Sequence, residues 1–200
     1  MAELVADEVE QEYASELDGA SAWERPDLFG FSCGVLVDID TSVPRYYGPA
    51  QAREMIAALE AAEASVGYNS AAFDLGVLGA YGDVALIREY HVDLCSLVRE
   101  QLDILAAEKQ TEHCLRQGGL DGLAKANGLE GKDGDGVGAV EMYRDGKLTD
   151  LLDYCEADTR LTADLYCLAR AHGGLQVDAY HRDEDRNRIY LPRTMLQLSL

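Results

Sequence analysis

Three side chains, Asp74, Tyr154 and Asp158, stand where an apolar pattern would otherwise put core residues. They occur in Val66-Gly67-Tyr68-Asn69-Ser70-Ala71-Ala72-Phe73-Asp74 and in Tyr154-Cys155-Glu156-Ala157-Asp158-Thr159-Arg160-Leu161-Thr162. Tyr154 and Asp158 are four apart, so on a helix one lies above the other on the same face. An acid buried on such a face is costly unless it is paired or binds a metal. The pattern therefore points to a metal site built from two carboxylates. Each residue also has a plainer reading. Asp74 favours the positive end of a helix that starts after Ser70. Asp158 pairs with Arg160 or another base, Tyr154 is a core aromatic, and Asp93 is an N-cap. The four histidines offer no supported general base, and most read as surface positions.

These residues need elements to position them. Leu4 to about Glu10 reads as a first strand, Phe29–Ile39 as a second and Arg45–Gly48 as a third. Ala50–Ala64 is rich in helix formers, with apolar Met55, Ile56 and Leu59 at helical spacing. A strand at 64–68 runs into Asn69-Ser70, residues suited to capping a helix over about 71–80. His91–Leu94 is a further strand feeding a helix, with Asp93 or Ser96 near its cap. Leu120–Asn127 is a short helix closed by Gly128, and a glycine-rich loop (128–138) leads to a helix around 138–145. Thr149–Ala171 is the clearest helix, closed by Gly173-Gly174. Two last strands, Leu175–Tyr180 and Arg188–Pro192, form a hairpin. Strands first, then strands alternating with helices, indicate an α/β domain with a mixed sheet.

The glycine-rich loop carries no recognised ligand cradle. A phosphate-binding loop needs Gly-Lys followed by Ser or Thr, and Gly131-Lys132 is followed by Asp133. A calcium loop starting at Asp133 needs a glutamate near position 144, which is Arg144. It reads as a flexible connection.

Composition bounds the rest. Two hundred residues suffice for one domain with a sizeable core. Thirty-seven acidic against seventeen basic residues give a net charge of −20. Such a surface repels nucleic acid on average and favours solubility. High-salt adaptation, where screening shortens repulsion, and ordinary acidity both account for it. The apolar stretches fall far short of the roughly 18 residues needed to span a bilayer, and no signal peptide opens the chain. The expected compartment is the cytosol, without a membrane partner. Five cysteines form no Cys-x-x-Cys pair and read as reduced, structural thiols. Cys155 and Cys167 lie about 18 Å apart on one helix and cannot pair.

Asn69-x-x-x-Phe73-Asp74 and Tyr154-x-x-x-Asp158 resemble the second and third motifs of the DEDD 3′–5′ exonucleases of the ribonuclease H-like superfamily, in their tyrosine subtype. More closely, the chain is similar to the YprB-like ribonuclease H-like domains often found beside DEAD/DEAH helicases. Leu120–Asn127, Gly131–Val140, the Tyr-Cys-x-x-Asp-x-x-x-Thr stretch and the closing hairpin support this, so the likeness covers almost the whole chain. It implies one ribonuclease H-like domain over 1–200, a mixed central sheet flanked by helices, with 175–200 as closing hairpin and tail.

The resemblance further implies two-metal hydrolysis of phosphodiester bonds at a DNA or RNA 3′ end, with two Mg²⁺ or Mn²⁺ ions. Hard divalent cations take carboxylate oxygens, so acids must converge from separate elements. The implied metal ligands are Asp7, Glu10, Asp74 and Asp158. Tyr154 positions the attacking water, Asn69 supports the loop into the second helix, and Phe73 belongs to the substrate side. A DEAD/DEAH-type helicase is an implied partner. Tyr68, Phe73, Tyr81 and Tyr143 are candidates to stack on bases. Arg182, Arg186, Arg188 and Arg193, interleaved with acids, read as a solvated hairpin.

Strand one leaves its register open. The family carries Asp-x-Glu there, two acids on one strand face. Aligning Asp7 keeps Gln11, Ala14, Glu16 and Gly19 in register and puts Val9 at the glutamate position. A one-residue shift offers Glu8 and Glu10 instead, and a bulge at Glu8 presents Asp7 with Glu10. With Val9 at the ligand position, the alternative is an impaired domain that binds nucleic acid or a helicase without cutting.

Overall fold

The computed structural model describes residues 25–111, 113–131, 139 and 142–200. Strand β1 (Gly34–Val37) pairs antiparallel with β2 (Pro44–Tyr47), from Gly34 opposite Tyr47 to Val37 opposite Pro44. Helix α1 (Ala52–Glu60) follows, buries Ala52 and Ile56, and ends before Ala61–Ala64 lead into β3 (Ser65–Gly67). Helices α2 (Asp74–Gly79) and α3 (Ala85–Glu89) occupy the crossover to β4 (His91–Asp93). That crossover makes β3 and β4 parallel, with Gly67 opposite Asp93.

Helix α4 (Leu94–Glu108) starts at the residue after β4, because the Asp93 carboxylate caps it by accepting from the N–H groups of Cys95 and Ser96. Helix α5 (Gly119–Ala126) ends at Asn127, with Gly128 at a φ of 76° closing it as its sequence predicts. The 25-residue helix α6 (Leu148–His172) ends at Gly173, which takes the left-handed conformation that glycine adopts without steric penalty.

The closing segment departs from the expected single hairpin of two long strands. It holds β5 (Gly174–Val177), β6 (Tyr180–Arg182), β7 (Arg188–Tyr190) and β8 (Thr194–Gln197). Here β5 pairs with β8 and β6 with β7, both antiparallel. Two interactions break the long first strand. Arg193 grips Asp178 through two bonds of 2.7 and 2.6 Å, and Arg116 exchanges both backbone hydrogen bonds with Tyr180 at 2.8 Å.

Parallel and antiparallel strand pairs alternating with helices make this a mixed α/β domain, in keeping with a ribonuclease H-like fold. Among the described residues the strands pair two by two. The expected first strand, Leu4 to Glu10, lies outside the described residues; of the expected helix around 138–145, residues 139 and 142–144 are helical, and 138, 140 and 141 lie outside the described residues.

The apolar side chains gather in two clusters. One joins α4, α5, α6, β5 and β8 around Leu94, Val98, Leu102, Leu123, Leu165 and Leu175. The other joins α1, α2 and α3 around Ala52, Ile56, Leu75, Leu78 and Ile87. Tyr68 packs on the first cluster and Phe73 on the second. The loop between them therefore crosses from one core to the other, and its conformation depends on both. No helix among the described residues is long and apolar enough to cross a membrane.

Candidate active site

Helix α6 carries a stripe of buried residues, Leu151, Leu161, Thr162, Leu165 and Ala169. Tyr154, Cys155 and Asp158 fall on the same stripe by the three- and four-residue spacing of a helix, and all three are partly buried. Two threonines one turn further on brace this stretch. The Thr159 hydroxyl donates to the Cys155 carbonyl and the Thr162 hydroxyl to the Asp158 carbonyl, each at 2.8 Å. Arg160 does not serve Asp158. It pairs with Glu156 at 2.7 Å, and Glu156 also accepts from the Tyr46 hydroxyl of β2. The plain reading of Asp158 as the partner of Arg160 is thereby excluded.

Asp74 arrives from the other core. Its helix starts three residues later than Asn69-Ser70 suggest, because those residues shape a turn instead of capping. Asn69 takes a left-handed φ of 60°, a conformation that asparagine tolerates better than most residues. Its N–H donates to Asp93 Oδ1 at 2.8 Å, and the Ala71 N–H donates to Asp93 Oδ2 at 2.9 Å. The Ser70 hydroxyl, which would have capped the helix, is bonded to His91 Nε2 at 2.7 Å, and His91 Nδ1 is bonded to the Ser65 hydroxyl at 2.8 Å. Gly67 makes room for this: a Cβ there would lie 1.9 Å from Ser70 Oγ. The Arg88 guanidinium donates to the Ala71 carbonyl at 2.7 Å and closes the outer side of the turn.

This turn leaves the carboxyl-terminal edge of the β3–β4 pair, the edge at which open α/β sheets present their sites. The cavity lined by Leu59, Ser65, Leu86, Ile87 and Tyr90 lies at the opposite end of β3, away from the carboxylates.

Electrostatics tie Asp74 to Asp158. By surface area Asp74 is an exposed residue, although neighbouring protein crowds its carboxyl group. Desolvation first, then the negative charges of Asp93 and Asp158, push its pKa up to about 6. Asp74 on α2 therefore lies within electrostatic reach of Asp158 on α6, and hard divalent cations take carboxylate oxygens of this kind. Asp93 is not available as a third ligand, since its carboxylate accepts four backbone N–H groups: those of Asn69, Ala71, Cys95 and Ser96. No cluster of three or more potential ligands occurs among the described residues. Asp7 and Glu10, the other expected ligands, lie outside the described residues.

The aromatic candidates divide. The Tyr68 hydroxyl is bonded to Gln117, and burial pushes its pKa well above the ordinary range. The Tyr81 hydroxyl accepts from the Phe31 N–H at 2.8 Å. Both are committed to the scaffold. Phe73, by contrast, packs edge-on against the exposed ring of Phe29 at 5.2 Å, immediately before Asp74.

Residues 87–198 match the family described as a predicted 3′–5′ exonuclease related to the exonuclease domain of PolB. The match covers more than half of the chain. The chain belongs to that family. The matched segment of this exonuclease-related family runs from the end of α3 through β8 and includes Asp93, Tyr154 and Asp158, whereas Asn69, Phe73 and Asp74 precede it. No curated protein and no solved structure matches the chain.

Three participants escaped sequence reasoning. His91, read only as part of a strand, is a half-buried link between Ser65 and Ser70. Its only sequence signal is that a period-two strand puts it at the edge facing the motif loop. Phe29 reads as strand, and its partnership with Phe73 is non-local. Cys33 lies 3.8 Å from Cys155, sulfur to sulfur, across 122 positions of sequence.

Proposed function

We propose that this domain is a metal-dependent 3′–5′ exonuclease of the tyrosine DEDD subtype, similar to the YprB-like domains, hydrolysing phosphodiester bonds of DNA or RNA. What supports this reading is the electrostatic influence of Asp158 on Asp74 within a chain of an exonuclease-related family. Asp74 and Asp158, with Asp7 and Glu10 of the amino-terminal segment, would hold two Mg²⁺ or Mn²⁺ ions. Bound there, such ions supply Lewis-acid stabilisation to the attacking and leaving oxygens of the phosphodiester.

The chain's own residues do the remainder. Tyr154, one turn before Asp158, orients the attacking water through its hydroxyl. The Asp93-held turn fixes the entry of α2, so that Asp74 meets Asp158 without reorganising when substrate arrives. Phe73 and Phe29 offer an apolar platform for the terminal base, whose stacking tolerates any sequence. Asn69 holds the turn that presents this platform.

The second reading is a domain that binds nucleic acid or a helicase without cutting. It is favoured by the alignment of Asp7 with the family aspartate, in which Val9 falls at the glutamate position. Digestion of end-labelled single-stranded DNA and RNA with Mn²⁺ or Mg²⁺, at low and molar salt, beside Asp158→Ala, separates the two. Metal-dependent shortening from the 3′ end, lost in the variant, supports the nuclease. Retained binding by folded protein with no cleavage in any condition supports the binder.

A further inference from the structure

Cys33 immediately precedes β1, and Cys155 lies on the buried stripe of α6 between Tyr154 and Asp158. Their sulfurs are 3.8 Å apart, both residues are half-buried, and both carry free thiols. The surrounding contacts fix this approach. The Thr159 hydroxyl reaches the Val35 carbonyl at 3.4 Å, the Tyr46 hydroxyl bonds Glu156, and Arg160 donates to the Ser42 carbonyl at 3.3 Å. The β1–β2 ribbon is therefore docked on the helix turn that carries Asp158. A disulfide requires an S–S separation of about 2.05 Å, so closure needs a further approach of about 1.7 Å, within reach of side-chain rotation.

We infer that Cys33 and Cys155 form an oxidative modification site, a thiol pair that hydrogen peroxide converts to a disulfide clamping β1 to α6 beside the candidate carboxylates. The hydrogen bond between the pair holds the Cys33 thiol below its ordinary range, with Cys155 keeping the shared proton, which makes Cys33 the nucleophile. Its thiolate attacks one peroxide oxygen, the O–O bond breaks, and hydroxide leaves to become water, giving Cys33 sulfenic acid. The Cys155 sulfur then attacks the Cys33 sulfur, the S–O bond breaks, and the departing hydroxide takes the Cys155 proton as a second water. In sum, two thiols are oxidised by two electrons and one peroxide is reduced to two waters.

The test treats the full chain with hydrogen peroxide and quenches with an alkylating agent before peptide mapping by mass spectrometry. The expected result is loss of two of the five thiols, one cross-link joining the peptides that contain Cys33 and Cys155, and its reversal by dithiothreitol. Cys33→Ser removes that cross-link and leaves Cys155 open to alkylation or over-oxidation. Five alkylated cysteines after peroxide, or a cross-link between other positions, would overturn the inference. The effect of the bond on cleavage rests on the proposed nuclease function: oxidised protein loses activity and dithiothreitol restores it. Because the bond is read by mass, its absence counts against the inference whether or not the protein cuts. An absence of cleavage by the reduced protein counts against the nuclease reading alone.

Discussion

Asp93 holds Asn69 in place: the Asn69 N–H donates to Asp93 Oδ1 at 2.8 Å, while the same carboxylate accepts the first N–H groups of α4. One buried acid thus fastens the start of a helix to the turn that delivers Asp74. The fastening makes Asp93 a positioning residue. Replacing it with alanine leaves four backbone donors short of their acceptor. Asp93→Ala should destabilise the fold by roughly 3 kcal/mol, and Asp93→Asn, which keeps one acceptor oxygen, by less. Urea unfolding of the two variants checks the order.

Gly67 and Ser70 should be energetically coupled. A Cβ at 67 would lie 1.9 Å from Ser70 Oγ and 2.6 Å from Ser70 Cβ. Gly67→Ala is expected to destabilise by about 1–3 kcal/mol and to break the bond between Ser70 and His91. In a Ser70→Ala background part of that loss should disappear, because the nearest atom is gone. A double-mutant cycle by chemical denaturation measures the difference; strictly additive losses would show that the crowding is relieved elsewhere.

The raised pKa of Asp74 gives a signed pH dependence. Folded Asp74 holds its proton up to about pH 6, whereas an unfolded aspartate releases it near pH 4. Between those values the folded state binds more protons, so this group's contribution to stability falls as pH rises through the window. Metal-free protein should therefore gain on Asp74→Asn as pH is lowered from 7 to 4, and the variant should be the more stable above pH 6. Thermal unfolding in chelator across that range tests it. Mn²⁺ binding should release a proton near pH 6 and weaken below it, read by titration calorimetry in two buffers of different ionisation enthalpy.

Tyr154 and Asp158 should fail differently. Asp158→Asn removes a charged ligand and is expected to abolish both cleavage and Mn²⁺ binding. Tyr154→Phe keeps the ring in its place on α6 and removes only the hydroxyl. It should lower kcat roughly 100-fold with little change in KM or in Mn²⁺ affinity. Steady-state digestion and calorimetry on the two variants separate positioning of water from metal binding.

Arg160→Ala should change little. The pair with Glu156 is a solvent-screened i, i+4 bridge at the surface, a class that contributes little to stability. Melting within a degree or two of the parent protein, with cleavage intact, is the expected result. A large loss of activity would show that Arg160 serves the site after all.

The sequence by itself determined the elements whose signals are local. The Asp93 cap, Gly128 and Gly173 mark helix ends through the chemistry of one or two residues, and the structure places α4, α5 and α6 accordingly. The four-residue spacing of Tyr154 and Asp158, set against the leucines around them, likewise put both on one face before any tertiary contact was known, because helix geometry is fixed over a single turn. Tertiary structure decided the rest. Asn69-Ser70 carry ordinary capping chemistry, yet Asp93 and His91, more than twenty residues away, take the groups that a cap would have used. The closing strand was split by Arg116 and Arg193, partners that no local pattern announces. The approach of Cys33 to Cys155, and the reach of Asp158's charge to Asp74, depend on how two cores pack and where the loop crosses between them. Pairings of that kind join residues tens of positions apart, and the side-chain period that reveals a buried face does not name the face it will be buried against.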